Sequence, residues 1–146
     1  MSAAPPRPAG RAFPFQHEVR VSLRDLDAFG HVNHSVYLSY LEVARTLYYF
    51  ARRGMKDVGE LDFILASIAC RYRSPAFLHE TLVVHLGPTK IGGKSWDLAY
   101  EIRESTSGRL VADAETTQVQ YDYGAGRAVA IPPGVRALLE RDRIPE

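Results

Sequence analysis

The stretch RDLDAFGHVNHSVYLSYLEVAR, residues 24–45, changes character halfway along. Its second half has apolar residues at the spacing of a helix, whereas its first half gathers two aspartates and two histidines around a glycine. These titratable residues are Asp25, Asp27, His31 and His34. Such a group directly before a helix has three possible interpretations: a metal site, acid–base chemistry, or a polar loop with a structural role.

The segments on either side of the polar loop have different periods. From Phe15 to Leu23 apolar residues alternate with polar ones, which predicts a half-buried strand. After the loop the period becomes helical, and Gly54 is placed to end the helix with a left-handed cap. Asn33 and Ser35 are both residue types that cap a helix N-terminus. The predicted apolar helix face consists of Tyr37, Tyr40, Leu41, Ala44, Tyr48 and Ala51.

The rest of the chain has mostly the pattern of strands. The nearly continuous apolar run at 63–72 predicts a strand buried on both faces, and the alternation within 109–122 changes midway, as at a bulge. An order of strand, long helix and then about four strands predicts an α+β fold, with the helix packed on an antiparallel sheet. The remaining elements are predicted as strands at 80–87 and 96–103, a tight turn at Gly92-Gly93, and a short helix at 135–141.

Length and composition bound the possible functions. The 146 residues suggest one domain, 14–146, preceded by a flexible tail, 1–13. With 18 Lys+Arg against 17 Asp+Glu, no overall charge indicates a nucleic acid or a membrane as partner. The single cysteine, Cys70, provides no disulfide framework and favours a cytoplasmic location. No apolar stretch in the sequence is long enough to span a bilayer.

The three interpretations of the polar loop are not equally favoured. The spacing of its aspartates and histidines is not a known zinc signature, so we expect no metal. Asp25 could have a purely structural role, because aspartates often bond to backbone amides in turns and helix caps. Acid–base chemistry is possible because free amides at a helix N-terminus can polarise a carbonyl, while a neighbouring carboxylate acts as base or nucleophile.

The motif DLDAFGHVNHSVYLSYLEVAR resembles the signature of the 4-hydroxybenzoyl-CoA thioesterase family. Supporting similarity extends through YRSPAFLHETLVV, GGKSW, GRLVADAET and IPPGVRALL, which together cover nearly all of the chain after the tail. The resemblance implies a hot-dog fold, in which a sheet of about five strands wraps a long central helix. It also implies a homodimer or homotetramer with the site at the subunit interface, and hydrolysis of an acyl-CoA to a free acid and CoA without any other cofactor.

The resemblance assigns roles to individual residues of the loop. It makes Asp27 the catalytic carboxylate, as general base or nucleophile, and makes amides near His34 and Ser35 the oxyanion hole. His34 occupies the position of an assisting histidine that some members have, while others use only the backbone amide there. A looser similarity to plant acyl-carrier thioesterases, through the letters HVN, assigns their catalytic histidine to His31. Leu23 replaces a tyrosine of many members, which implies a more apolar pocket near the thioester.

Other residues have both a functional and a structural interpretation. Lys90 and Lys94 flank the Gly92-Gly93 turn and could bind the phosphates of CoA, but they could equally be solvated lysines of a hairpin. Glu42 is expected to pair with Arg45 or Thr46 along the helix rather than to take part in chemistry. Tyr37, Tyr40 and Phe63 could line an acyl pocket, although aromatic residues at helical spacing usually belong to the core.

Two other functional classes fit a chain with this pattern. One is a hot-dog hydratase or dehydratase acting on acyl-CoA or acyl-carrier protein, whose usual signature differs from the one present. The other is a non-catalytic acyl-CoA-binding module, which would not need the carboxylate of Asp27. Cys70 lies in an apolar strand and is interpreted as a small hydrophobic residue, not as a nucleophile.

Overall fold

One long helix lies against an antiparallel sheet in the computed structural model, which describes residues 12–145. The predicted tail, 1–13, lies almost wholly outside these residues. The strands are β1 (Phe15–Arg20), β2 (Phe63–Tyr72), β3 (Thr81–Ile91), β4 (Ser95–Glu104), β5 (Leu110–Asp122) and β6 (Arg127–Ala128). The helices are α1 (Val36–Arg53) and α2 (Pro133–Asp142), and short 3₁₀ turns occur at Leu23–Asp25 and Val58–Glu60.

The sheet follows the order β1-β3-β4-β5-β2, with the two-residue β6 added to β5. All neighbouring strands are antiparallel. The hairpin joining β3 to β4 turns at Gly92-Gly93, as the glycine pair predicts. The α+β prediction with one long helix on a sheet of about five strands is therefore confirmed.

The buried face of α1 joins the inner face of the sheet in one core. Tyr37, Leu41, Ala44 and Tyr48 are buried as the helical spacing predicts, whereas Ala51 is exposed. Gly54 ends the helix in the left-handed conformation with φ of 65°, which glycine adopts without a Cβ clash. The sheet side of the core includes Leu82, Val84, Leu86, Leu98 and Ile102. No helix within residues 12–145 is long and apolar enough to cross a membrane.

The prediction that 63–72 is buried on both faces is wrong for the single subunit. β2 is the last strand of the sheet, bonded to β5 along one edge, and no described strand pairs with its other edge. Its side chains are therefore largely exposed, including the apolar Ile64, Leu65 and Ile68. A long apolar edge strand is a template for pairing with another chain.

Two further differences concern strand ends. β1 stops at Arg20, so Leu23 lies in the following 3₁₀ turn with 74% of its surface exposed, and not on a strand face. β5 has a bulge near its start and not midway as expected: Leu110 and Ala112 pair with consecutive residues of β4, and Val111 is extra. The register is regular through the middle of β5, and the alternation changes there because polar Thr116, Gln118 and Gln120 occupy the buried face.

Candidate active site

The loop between β1 and α1 folds into a tight turn that begins at Asp27. The N–H of Gly30 donates to the carbonyl of Asp27 at 3.1 Å, and the N–H of Asp27 donates to the carbonyl of His31 at 3.0 Å. Gly30 has φ of 83°, a left-handed conformation that would strain another residue. Buried Val32 fixes the loop to the chain after β2, because its N–H donates to the carbonyl of Ala76 at 2.9 Å.

The two oxygens of the Asp27 carboxylate have different surroundings. Oδ1 accepts the N–H of Phe29 at 2.9 Å, which is the usual bond of an aspartate at the start of a turn. Oδ2 accepts no hydrogen bond from any residue in 12–145. The side chain is half-buried and lines a cleft. One oxygen is therefore held by the backbone, while the other is available to accept a proton or to attack a carbonyl.

Asp25, two residues earlier, is engaged elsewhere. Its Oδ2 accepts the backbone N–H of Ser22 at 3.0 Å and the hydroxyl of Tyr40 at 2.7 Å. Burial raises the pKa of Asp25, but these hydrogen bonds to the charged form outweigh it and leave the pKa below its ordinary value. The structure thus favours the structural interpretation of Asp25, which ties the turn to α1.

Removing the Asp25 carboxylate is expected to cost stability. Asp25→Ala leaves the buried Tyr40 hydroxyl without its acceptor, and we expect a loss of about 1–3 kcal/mol in the free energy of unfolding. The contribution of the ionised carboxylate is present above its ordinary pKa and is lost as the pH falls through the lower folded-state pKa. Urea unfolding of the wild type and of Asp25→Asn from neutral to acidic pH should show the two stabilities converging. Parallel curves over that range would contradict this assignment.

The two histidines of the loop differ in burial. His31 is half-buried, with Nδ1 at 3.3 Å from the carbonyl of Val32 and its ring stacked on Phe29 at a centroid distance of 6.0 Å. His34 is exposed, and its ring meets Tyr72 edge-on at 6.4 Å. The carbonyl of His34 accepts the Tyr72 hydroxyl at 2.9 Å, which fixes the backbone of this residue to the end of β2.

Alanine substitutions should separate the roles of the two histidines. We expect His31→Ala to lower both the melting temperature and the rate of the thioester hydrolysis that the resemblance implies, because the His31 ring packs within the loop. We expect His34→Ala to lower mainly the rate, and His34→Asn to retain part of it, because asparagine still donates a hydrogen bond. Thermal melts beside a rate assay decide between them. An early melt of His34→Ala with a normal melt of His31→Ala would reverse the assignment.

Of the two amides expected near the start of α1, one is already occupied. The N–H of Ser35, the N-cap residue, donates to Oδ1 of Asn33 at 3.0 Å in a turn directly before the helix. The N–H of His34 donates no hydrogen bond to any residue in the described part of the chain. His34 lines the same cleft as Asp27. Its amide is therefore the one available to a substrate oxygen.

The cleft that contains Asp27 has a volume of about 500 Å³. Its walls include Tyr37 from α1 and Tyr72 from β2, whose rings lie 5.3 Å apart. Tyr40 is turned towards Asp25, and exposed Leu23 does not line this cleft within one subunit, so its effect on a pocket at a subunit interface stays a prediction. The remaining lining residues are Phe29, His31, Val32, His34, Arg73, Ser74 and Pro75.

The cleft also includes three residues that were not predicted to belong to the site: Arg73, Ser74 and Pro75. They follow β2 directly, and the signal was the segment YRSP in the second family-like motif. Arg73 is half-exposed, and its Nε donates to the carboxylate of Asp113 at 2.6 Å. The rest of its guanidinium can face a ligand in the cleft.

Lys90 and Lys94 do not join this cleft within one subunit. Thr81, at the start of β3, is near the Asp27 loop because the neighbouring Glu80 accepts the N–H of Val21 at 2.9 Å. Lys90 lies nine residues further along an extended strand, a distance of about 30 Å. Lys94, beyond the same hairpin, is also at that far end of the sheet.

The titratable side chains of the loop are divided between two places. No group of three or more His, Cys, Asp or Glu side chains within 12–145 is placed to hold a metal ion. The carboxylate of Asp25 is turned towards Tyr40 and away from the cleft that Asp27 and the histidines share.

A long helix held against an antiparallel sheet, with an acidic turn before the helix, defines a protein of the hot-dog class. The chain belongs to the thioesterase-like superfamily, whose family model matches residues 21–139. The resemblance drawn from the sequence is thereby confirmed at the level of this superfamily.

Individual relatives support this assignment. The long-chain acyl-CoA thioesterase FadM of Escherichia coli is 31% identical over 134 residues, which cover 86% of this chain and 97% of FadM. A Thermus thermophilus thioesterase solved with coenzyme A and zinc is 29% identical, with a TM-score of 0.78 over 88% of this chain and 94% of that one. A predicted thioesterase from Bacillus stearothermophilus is 18% identical and shares the fold, with a TM-score of 0.83 over 90% of this chain and 98% of that one.

Proposed function

We propose that this protein hydrolyses acyl-CoA thioesters to a free acid and CoA, with Asp27 as the catalytic carboxylate. The observation that carries the proposal is that Asp27 and His34 line one cleft, while Oδ2 of Asp27 and the N–H of His34 have no hydrogen-bond partner in the described residues. A thioester needs such a pair, because its carbonyl must be polarised while a nucleophile attacks the carbon. The coenzyme A bound to the Thermus thermophilus thioesterase supports CoA as the carrier.

The reaction can follow either of two routes at Asp27. As a general base, the carboxylate takes a proton from water, and the resulting hydroxide adds to the thioester carbon. As a nucleophile, the carboxylate adds itself and forms a mixed anhydride, which water then opens. In both routes the carbon–sulfur bond breaks, the negative charge on oxygen is stabilised by the His34 N–H, and the CoA thiolate leaves and is protonated. Neither route needs a further cofactor.

The His34 side chain extends this machinery. Its ring is exposed at the cleft, where it can hydrogen-bond to the attacking water or to the leaving thiolate. His31 is the second histidine on the cleft, and its packing against Phe29 supports a role in holding the turn. We therefore assign the direct contact to His34 and the positioning role to His31.

We also propose that two copies pair through the free edges of β2, as a homodimer that can assemble further into a homotetramer. The exposed Ile64, Leu65 and Ile68 support this, because pairing would cover them and satisfy the edge backbone groups. An antiparallel pairing centred on the strand would place Tyr72 opposite Phe63 of the partner subunit. The Asp27 cleft of one subunit would then meet the far end of the partner's sheet.

This pairing offers a role for the lysines that lie far from Asp27 in their own subunit. The carbonyl of Lys94 accepts the N–H of Gln120 at 2.8 Å, and Gln120 pairs with Phe63 in the sheet. Lys90 and Lys94 are therefore at the Phe63 end, which the dimer brings towards the partner's cleft. Together with Arg73, they form the cationic rim that we propose for the CoA phosphates.

Release of free thiol separates this function from its two rivals. The wild-type protein is incubated with a panel of acyl-CoAs, a thiol-reactive dye measures CoA, and mass spectrometry measures the acyl products. A thioesterase gives thiol and acid, a hydratase changes only the acyl chain, and a binding module does neither. Absence of thiol release across short, long and aromatic acyl-CoAs and an acyl-carrier substrate would overturn the proposal. The protein is stored in a reducing buffer, in keeping with the cytoplasmic location expected from the lone Cys70. The reductant is removed before the substrate and the dye are added, because it would react with the dye.

A further inference from the structure

A second cleft, of about 540 Å³, lies at the Phe63 end of the sheet. It is lined by Glu42, Arg45, Thr46, Val58, Gly59, Leu61, Phe63 and Tyr123, and we call it the Arg45 cleft. We propose that the Arg45 cleft binds a carboxylate at the far end of the acyl group, so that the substrates include CoA monothioesters of dicarboxylic acids. This inference rests on the proposed thioesterase function and on the proposed β2 pairing.

Among residues 12–145, Arg45 is a buried cation without an anionic partner. Only 5% of its surface is exposed, although the helical pattern predicts an outward residue paired with Glu42. No carboxylate within 12–145 forms an ion pair with it, and the expected pair along the helix is absent from that part of the chain. Burying an uncompensated charge is costly. An anionic ligand in the cleft would compensate it.

A chain of buried polar groups holds Arg45 from behind. Its Nη1 donates to the hydroxyl of Tyr100 at 3.2 Å, and that hydroxyl lies 2.7 Å from Oγ1 of Thr116. Thr116 in turn bonds to Gln118, whose Nε2 donates to the carbonyl of Trp96 at 3.1 Å. A guanidinium has five N–H donors in a planar fork that matches a carboxylate. Within 12–145 the network uses one N–H of that fork, at Nη1, and leaves the other donors for the cleft.

The walls of the cleft suit an acyl chain that leads to this charge. Val58, Leu61 and Phe63 are apolar, and the hydroxyl of Tyr123 is engaged by the carbonyl of Phe63 at 2.8 Å. These walls can pack against methylene groups, while Arg45 lies on the buried side. Among the described residues that line the cleft, Glu42 is the one that is acidic, and it is exposed.

The β2 pairing connects this cleft to the catalytic loop of the other subunit. Phe63, in the wall of the Arg45 cleft, would lie opposite Tyr72 of the partner subunit, which lines the partner's Asp27 cleft. An acyl group whose thioester is held at one subunit's Asp27 would then extend into the other subunit's Arg45 cleft. At the end of the acyl group, the chemical group that best matches a guanidinium in apolar surroundings is a carboxylate.

The experiment compares substrates that differ only in the terminal group. Succinyl-CoA is paired with butyryl-CoA and adipyl-CoA with hexanoyl-CoA, and the readout is the ratio of kcat/KM within each pair. We expect the wild type to favour the dicarboxylic member of at least one pair. Arg45→Gln should lower that ratio by about tenfold to a hundredfold, since one charge-assisted contact is lost. The ratio cancels any general loss of activity, and a thermal melt reports whether the variant folds.

Glu42→Gln provides a second test with the opposite sign. Removing this exposed negative charge from the cleft wall should raise the same ratio, and the variant remains informative even where Arg45→Gln does not fold. If the neutral substrates are hydrolysed but the ratio does not favour the dicarboxylic members and neither variant changes it, this inference is overturned while the thioesterase function stands. If no acyl-CoA is hydrolysed, the thioesterase function fails and this inference fails with it.

Discussion

Replacing Asp27 with asparagine should lower thioester turnover by about a hundredfold to ten-thousandfold, the range found when a general base is removed. Asparagine retains an oxygen that can accept the Phe29 N–H, so the turn around Gly30 should persist. It lacks the negative charge that a base or nucleophile needs. The measurement is kcat from CoA release, beside a thermal melt that shows the fold to be intact.

Asp25→Asn is the matched control for this experiment, because it makes the same chemical change two residues away. Asp25 faces Tyr40 and not the cleft, so its substitution should affect stability more than turnover. Near-normal turnover of a folded Asp27→Asn variant would remove the basis of the proposed mechanism. An equal loss in both variants would indicate that the loop as a whole, and not the Asp27 carboxylate, had been disturbed.

Introducing a charge into the free edge of β2 should dissociate the protein and lower its activity. Ile68 is exposed in the middle of this strand, where the proposed two-fold axis would bring the two copies together. A lysine at this position would place like charges opposite each other and block edge pairing. We expect Ile68→Lys to sediment as a monomer at micromolar concentration. Turnover should fall by about tenfold or more, because the groups that the partner subunit contributes to substrate positioning are lost.

Val43→Lys is the control for this second prediction. Val43 is exposed on α1, away from the edge of β2, so a lysine there adds the same charge without opposing the proposed pairing. It should remain a dimer with activity close to that of the wild type. A wild-type protein that is monomeric and fully active would contradict the proposed interface, whatever the variants show.

Much of the fold was predictable because its signals are local. The helical spacing of α1, the cap at Gly54 and the glycine turn between β3 and β4 depend on neighbouring residues, and all were confirmed. The Asp27 turn is similarly local, since Gly30 and the Phe29 N–H lie within three residues of the carboxylate. These features needed no information about distant parts of the chain.

The predictions that were wrong concerned residues whose surroundings are set by distant parts of the fold, which a local sequence pattern does not contain. The apolar run of β2 indicates burial, but the strand is at the edge of its sheet and no part of 12–145 covers its free edge. Arg45 lies outside the apolar spacing of α1 and was expected to face solvent. It is buried, and its guanidinium donates to the hydroxyl of Tyr100 on β4. The position of Lys90 relative to Asp27 follows from the length and direction of β3, which the chemistry of the turn does not reveal.

The most direct test of the central claim measures both products of one reaction. Wild-type protein and Asp27→Asn are each incubated with an acyl-CoA that the wild type turns over, and free CoA and free acid are quantified in the same samples. The account predicts equal amounts of thiol and acid from the wild type and almost none of either from the folded variant. Thiol and acid formed by Asp27→Asn at close to the wild-type rate would contradict it.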